Sequence, residues 1–99
     1  MILTDRKPAS VAEILKEEFL EPLSLTQTAL AEAMDVPRKH VSELCNGRRA
    51  ITVTTALRLA RAFNTSPDFW LNVQRRTDLW ECMHSRDFER IRRVKQLVA

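Results

Sequence analysis

Arg38, Lys39 and His40 stand next to one another in the chain, and a hydroxyl follows at Ser42. Arginine and lysine donate hydrogen bonds that match the O6 and N7 acceptors of guanine in the major groove of DNA, and serine pairs with several base edges. Side chains in the first turns of an exposed helix can reach such edges. We therefore predict that these four residues read DNA bases. Ordinary solvated charges are the alternative for Arg38 and Lys39.

The segment around these residues has the spacing of two short helices joined by a tight turn. Asp35 tolerates the left-handed backbone that the turn requires, and Pro37 suits the start of the second helix because its φ is already fixed. Ala31 is small enough to let the two helices approach closely. The apolar residues expected to face inward are Leu30, Met34, Val36, Val41 and Leu44. Residues 26–46 are therefore predicted to form a helix-turn-helix, whose second helix enters the major groove.

Local signals elsewhere predict more helices and no strand. A capping box at Ser10 and Glu13 begins a first helix that runs to about Leu20. A fourth helix follows Thr52, with Arg58 and Arg61 facing outward and Asn64 as a left-handed stop. A fifth begins at Ser66 and Pro67, where a capping serine precedes proline. Residues 85–99 are predicted to form either a sixth helix, with Ile91, Val94 and Val98 on one face, or a basic disordered tail. The fold class is all-α with five helices and this sixth candidate.

Composition indicates one domain over residues 1–99, with a helical core at 10–83 and a basic extension at 84–99. The 99 residues carry a net charge of +3, which is compatible with a polyanionic partner. We expect a cytoplasmic protein, because there is no bilayer-spanning run and no signal-peptide pattern in residues 1–6. Cys45 and Cys82 lack metal-ligand spacing and are expected to be reduced thiols, so no metal or cofactor is predicted.

No set of residues has the pattern of a catalytic site. The single glycine excludes a nucleotide-binding loop. Asp78 and Cys82 share a helical face, but His84 falls outside it, so the three do not form a triad. We therefore expect no enzyme activity.

The fifth helix is apolar around much of its circumference. Such a helix in a small domain is expected to face a second subunit, and completion of the monomer core is the alternative. The predicted dimer interface consists of Phe69, Trp70, Val73, Trp80 and Met83.

Longer motifs give the chain a family resemblance. They are residues 13–23 (EILKEEFLEPL), 30–33 (LAEA), 46–51 (NGRRAI), 56–60 (ALRLA) and 66–74 (SPDFWLNVQ). With them the chain resembles the HigA (VapI-like) antitoxins, a branch of the Xre/Cro-like helix-turn-helix proteins. It departs from the family pattern at Ser10-Val11-Ala12, in place of His-Pro-Gly, and at Asp35, in place of the turn glycine. Neither departure undermines the fold.

The resemblance implies a homodimer that binds a palindromic operator in its own promoter and represses it. It also implies a protein toxin partner of the HigB type, a RelE-like mRNA endonuclease. Gln27 resembles a family position that contacts a DNA phosphate, and Asn46 resembles a phosphate clamp joined by Arg48 or Arg49. Helix capping alone is the alternative for Gln27 and Asn46. A stand-alone Xre-type repressor without a toxin partner is the rival function, and a protein-interaction module without DNA is a weaker one.

Overall fold

Helices make up all the regular structure of the described part of the chain. The computed structural model describes residues 6–99, so the segment examined for a signal peptide lies almost wholly outside the described residues. The first helix, α1, starts as an α-helical turn, Val11–Ile14, and continues as a π-helical segment, Leu15–Leu20. The others are α2 (Gln27–Met34), α3 (Arg38–Cys45), α4 (Val53–Phe63), α5 (Pro67–Met83) and α6 (Phe88–Arg92). The all-α fold class is confirmed.

Four of these helices begin at a side chain that caps the first free backbone N–H groups. The hydroxyls of Ser10, Thr26, Thr52 and Ser66 each accept a backbone hydrogen bond, at 3.0–3.2 Å. The predicted caps of the first, fourth and fifth helices are thus confirmed. The capping box differs in one detail, because the Ser10 hydroxyl donates to Glu13 Oε1 at 3.3 Å. In the usual capping box the glutamate side chain accepts from the backbone N–H of the N-cap residue instead.

Left-handed residues end the helices where the sequence places them. Asp35 has φ of 57° after α2, Asn64 has φ of 53° after α4, and Gly47 has φ of 70° after α3. Ser24, with φ of 52°, is a further left-handed residue that the sequence did not indicate. Pro37 precedes the first residue of α3, and its carbonyl accepts from His40 N–H at 2.9 Å. The predicted turn between α2 and α3 is confirmed.

The backbone at Asp35 leads to a stability prediction. A β-branched side chain clashes with the backbone in the left-handed region, at a cost of about 1–2 kcal/mol. Asp35→Val is therefore expected to lower the free energy of unfolding by about that amount, as measured by urea denaturation. Asp35→Gly, the matched control, removes the side chain without a clash and should leave stability within about 1 kcal/mol of the wild type. Equal stability of the two variants would contradict this account.

The core lies where α4 packs on α5 and on α2, and where α1 closes against α3 and α5. Its largest side chain, Trp70, is fully buried, and its indole N–H donates to Thr65 Oγ1 at 2.9 Å. Phe19 and Phe69 pack around it, each with a ring centroid 5.0 Å from that of Trp70. The other fully buried large residues are Leu15, Leu30, Val41, Leu44, Cys45, Leu59 and Val73.

This core corrects part of the predicted dimer interface. Trp70 and Val73 have no exposed surface in the single chain, so their side chains cannot touch a second subunit. At these two positions the alternative, completion of the monomer core, is the one that the structure supports. The apolar circumference of α5 arises because the helix packs on both α4 and α1. Phe69, Trp80 and Met83 keep exposed surface, and their place in an interface stays a prediction.

The predicted outward orientation of Arg58 is wrong. Its side chain is half-buried, and its guanidinium donates to the backbone carbonyls of Met34 and Asp35 at the end of α2. The last carbonyls of a helix lack partners within the helix, so a cation placed there satisfies them and interacts favourably with the helix dipole. Arg61 is exposed as predicted. The fourth helix thus helps to hold the helix-turn-helix in place.

The C-terminal extension contains a single short helix. The predicted sixth helix is confirmed over Phe88–Arg92 but ends before Val94, and it buries none of its residues. Ile91, Val94 and Val98 are exposed, so the apolar face expected for a longer helix is not covered by any of the described residues.

Candidate nucleic-acid interface

One face of α3 is fixed to the core, and the other is presented to solvent. Val41, Leu44 and Cys45 are buried with at most 1% of their surface exposed, which sets the rotation of the helix about its axis. Arg38 and Lys39 lie exposed in its first turn. Their cationic groups can therefore reach a groove of DNA while the helix stays anchored, as the base-reading prediction requires. The role of these residues in base readout stays a prediction.

His40 is placed differently from its two neighbours. Its ring is half-buried, and Nε2 lies 3.4 Å from Thr55 Oγ1 of α4. Burial, followed by the positive charge of Arg49 and partly opposed by Glu43, lowers the pKa of His40 below its ordinary value of 6.5. His40 is thus neutral at pH 7 and contacts α4 with part of its ring. Its predicted part in base readout is limited to the portion that remains on the surface.

This placement makes stability depend on pH. Because the pKa of His40 is lower in the folded state, the unfolded chain binds the proton more readily. The contribution of His40 to stability is complete above pH 6.5, the pKa of histidine in the unfolded chain. It is lost as the pH falls from there toward the lower pKa of the folded state. We expect the free energy of unfolding to decrease between pH 7 and pH 5.5, and His40→Gln to flatten that decrease. Urea denaturation across this range measures it, and His84→Gln, the control, should retain the decrease. Parallel curves for wild type and His40→Gln would contradict the prediction.

Ser42 and Asn46 lie one turn apart at the end of α3. Asn46 Nδ2 donates to Ser42 Oγ at 3.4 Å, so the two polar side chains are held together on the helix surface. Asn46 is also the C-cap residue, but its side chain bonds to Ser42 and not to a free carbonyl. The end of the helix is satisfied by the backbone, where Gly47 N–H donates to Leu44 O at 3.3 Å. Capping alone therefore does not account for the Asn46 side chain.

The two arginines after α3 differ in their surroundings. Arg48 is exposed, and its backbone N–H donates to Glu43 O at 2.8 Å. The guanidinium of Arg49 instead folds back onto α3, with Nη2 2.7 Å and Nε 3.2 Å from Glu43 Oε1. A guanidinium carries five N–H donors, so Arg49 retains donors for a phosphate while it holds the carboxylate. Its hydrogen bond lowers the pKa of Glu43.

Gln27 is the first residue of α2 and is half-buried. Thr26 caps that helix, because its hydroxyl accepts from Ala29 N–H. The alternative role of Gln27, helix capping, is therefore already filled by Thr26. The predicted phosphate contacts of Gln27, Asn46, Arg48 and Arg49 all stay predictions.

Comparison with known proteins identifies the family. A family model described as helix-turn-helix matches residues 15–70, which is more than half of the chain. The chain belongs to the Xre-like helix-turn-helix family. Among the relatives of this helix-turn-helix protein, antitoxin HigA-1 of Vibrio cholerae is 53% identical over 79% of the chain and 73% of its own length. An uncharacterised helix-turn-helix transcriptional regulator of Haemophilus influenzae is 51% identical over 85% of the chain and 78% of its own length.

Solved structures of similar proteins include complexes with DNA. The antitoxin GraA in complex with its operator is 33% identical, with a TM-score of 0.87 and full coverage of both chains. The Pseudomonas aeruginosa antitoxin HigA with the higBA promoter is 31% identical, with a TM-score of 0.83 over 92% of this chain and 99% of that one. The resemblance to HigA antitoxins inferred from the sequence motifs is thereby confirmed.

Two residues near the candidate interface of this helix-turn-helix protein carry no signal in the sequence. Glu43 lies on α3 and pairs with Arg49 six residues later, a separation too long for a helical i to i+4 contact. Gln74 of α5 accepts a hydrogen bond from Ile51 N–H at 3.0 Å and so ties the loop after α3 to the core. No local pattern marks either contact, because both depend on how the loop folds back.

Neither a metal site nor a membrane-spanning helix is found in the described part of the chain. Within residues 6–99, no group of histidine, cysteine and carboxylate side chains could hold a metal ion. The helices there are too short or too polar to cross a bilayer. Cys45 is buried and Cys82 is exposed, both as free thiols, and burial raises the pKa of Cys45.

Proposed function

We propose that this helix-turn-helix protein binds double-stranded operator DNA in its own promoter and represses transcription. The observation that carries the proposal is the exposed, basic start of α3 on a helix whose opposite face is buried. In this binding mode Arg38, Lys39 and Ser42 contact base edges, and part of His40 joins them. Gln27, Asn46, Arg48 and Arg49 contact phosphates and set the register. The solved complexes of GraA and HigA with operator or promoter DNA support the proposal by similarity.

The proposed DNA-bound form is a homodimer on a palindromic site, because a two-fold protein matches a two-fold operator. One face of α5 carries Phe69, Trp80 and Met83, because Trp80 follows Phe69 by eleven positions and Met83 follows Trp80 by three. Phe69 is 36% and Met83 38% exposed, and Trp80 is half-buried and stacks on His84 at a centroid distance of 3.9 Å. This face is the proposed interface between the two subunits.

Trp80→Ala is expected to weaken this dimer. Buried aromatic residues at the centre of an interface commonly contribute about 2 kcal/mol or more, which corresponds to roughly 30-fold in the dissociation constant. Sedimentation of the free protein at micromolar concentration measures the effect. Arg75→Ala, an exposed change elsewhere on α5, serves as the control and should leave the dimer intact. Identical dimer masses for Trp80→Ala and wild type would show that Trp80 belongs to the monomer core and not to the interface.

We further propose that the protein is an antitoxin, which binds and neutralises a toxin of the HigB type, a RelE-like mRNA-cleaving enzyme. The similarity to antitoxin HigA-1 supports this part. The chain itself is proposed to be non-enzymatic and to act in the cytoplasm, where bacterial DNA lies. Asp78 and His84 bond separately, to Gln74 and to the Trp80 carbonyl, which fits the absence of a shared catalytic role.

Co-purification of the tagged chain with the product of the adjacent small gene tests the antitoxin part. The expected result is a stable complex that shifts the shared promoter in a gel, with a neighbour that is toxic when expressed alone. The second candidate is a stand-alone repressor, which similarity to relatives named only as transcriptional regulators favours. Promoter binding without any partner would support this second candidate and contradict the toxin proposal.

A further inference from the structure

Glu43 occupies the middle of the solvent-facing side of α3. It follows Lys39 by four residues and precedes Asn46 by three, so the three side chains share one helical face. That face lies opposite the buried Val41 and Leu44. In the proposed binding mode the duplex contacts both Lys39 and Asn46, so it also meets Glu43, which lies between them on the same face. An acidic side chain therefore lies within the proposed reading surface.

An unpaired carboxylate at this position would oppose the approach of DNA, since phosphates carry one negative charge for about every 1.7 Å of duplex axis. Arg49 removes this conflict, because its guanidinium lies 2.7 Å from the Glu43 carboxylate and balances its charge. The glutamate side chain is 28% exposed, so it is held against the protein surface by this contact and does not move freely in solvent. Hydrogen bonds of this charge-assisted kind fix geometry as well as adding energy.

The pairing is one-sided, which leaves a hydrogen-bond acceptor available. Both donors of Arg49, Nη2 and Nε, end on Glu43 Oε1. Within residues 6–99 no hydrogen bond to the other oxygen, Oε2, is found, so its lone pairs can accept from a donor outside the chain. An ionised carboxylate accepts hydrogen bonds and donates none.

Among the base edges of the major groove, this chemistry fits cytosine. Cytosine presents only the N4 amino donor, and glutamate is a known kind of partner for it. Adenine also presents an amino group, but its N7 acceptor lies beside that group on the same base and repels a carboxylate. Arg38 and Lys39 instead match the acceptors of guanine, so Glu43 adds a preference that the basic residues cannot supply.

We propose that Glu43 is a specificity-determining residue that accepts a hydrogen bond from the N4 amino group of a cytosine in the operator, with Arg49 as the positioning residue that orients its carboxylate. The proposal rests on the proposed DNA-binding function and names the base class read by that same site. It concerns one base pair in each half of a palindromic operator.

Selection from a randomised double-stranded DNA library tests the proposal, with the full-length chain and three variants. Wild type should select a C·G pair at one position of each half-site. Glu43→Gln replaces the carboxylate by an amide that suits adenine, so it should lose the cytosine preference there and keep the other positions. By fluorescence anisotropy, wild type should bind the selected duplex about 5- to 100-fold more tightly than one with that pair replaced, and Glu43→Gln should not.

The two arginines provide a matched comparison for positioning. Arg49→Ala should reduce discrimination at the Glu43-dependent base pair, as well as overall affinity. Arg48→Ala, the neighbouring exposed arginine, should lower affinity by a similar factor on both duplexes and leave the discrimination ratio unchanged. A ratio that is the same in both variants would overturn the positioning role of Arg49.

The outcomes separate this inference from the proposed function. If wild type selects a sequence and Glu43→Gln selects the same one with the same affinity ratio, the role of Glu43 is overturned while DNA binding stands. If wild type selects no sequence at all, that result contradicts both the proposed operator binding and the role of Glu43. Circular dichroism of each variant shows whether it is folded before the selections are compared.

Discussion

Trp70→Ala is expected to lower the free energy of unfolding by about 3–5 kcal/mol, the range for removal of a large buried aromatic side chain. The indole is fully buried between α1, α4 and α5, and the rings of Phe19, Phe63 and Phe69 lie within 6.1 Å of it by centroid. The change also leaves the Thr65 hydroxyl without the indole donor that now bonds to it. Urea denaturation at pH 7 measures the loss.

Phe69→Ala is the matched control for this experiment. Phe69 directly precedes Trp70 on α5 but is 36% exposed, so its removal should cost about 1–2 kcal/mol. The difference between the two variants tests whether Trp70 lies in the monomer core. If Trp70→Ala has the same free energy of unfolding as Phe69→Ala but no longer forms a dimer, the core position is contradicted. Trp70 would then belong to the subunit interface.

Arg38→Ala is expected to reduce operator affinity by about 10- to 100-fold and to relax the preference at one base pair. A good bidentate contact from arginine to guanine discriminates by roughly 1–3 kcal/mol. Arg38 lies exposed in the first turn of α3, away from the core, so its removal should leave the fold unchanged. Fluorescence anisotropy on the operator and on single-base variants, at one fixed salt concentration, measures both effects.

The control here is Arg75→Ala, which removes the same charge from an exposed position on α5. It should change operator affinity much less than Arg38→Ala and leave the base preferences intact. If the two arginine variants lose the same affinity and show the same base preferences as the wild type, Arg38 contributes charge alone and has no role in readout.

The sequence predicted most of the fold because its signals are local. Caps such as Ser66, and left-handed stops such as Asp35 and Asn64, act within one turn of backbone, and the structure has them where the residue types indicated. The first helix shows the limit of such signals. Its extent was predicted, but the π-helical segment Leu15–Leu20 was not. In this segment the hydrogen bonds span five residues, as from Glu21 N–H to Lys16 O at 3.0 Å. The five-residue spacing places Leu15 and Leu20 both in the core.

Contacts between distant segments could not be read from the sequence in the same way. The apolar circumference of α5 was compatible with either a core or an interface, and only the packing of three helices assigned Trp70 and Val73 to the core. Arg58 contacts α2 across 24 residues of chain, and the same arginine in an isolated helix would face solvent. For the candidate site, residue type and local spacing sufficed to predict that Arg38 and Lys39 lie exposed at the start of α3, and their role in base readout stays a prediction. The Glu43 pair with Arg49 depends on the loop, and so escaped prediction.

Sequence-specific DNA binding through α3 is tested most directly by the affinity of the protein for its native promoter. The measurement compares a duplex from the promoter upstream of the chain's own gene with a scrambled duplex of equal composition, by fluorescence anisotropy at about 150 mM salt, the physiological ionic strength. The account predicts a preference for the promoter of about 1,000-fold or more, the usual margin of specific over non-specific binding. Equal affinity for the two duplexes would contradict it.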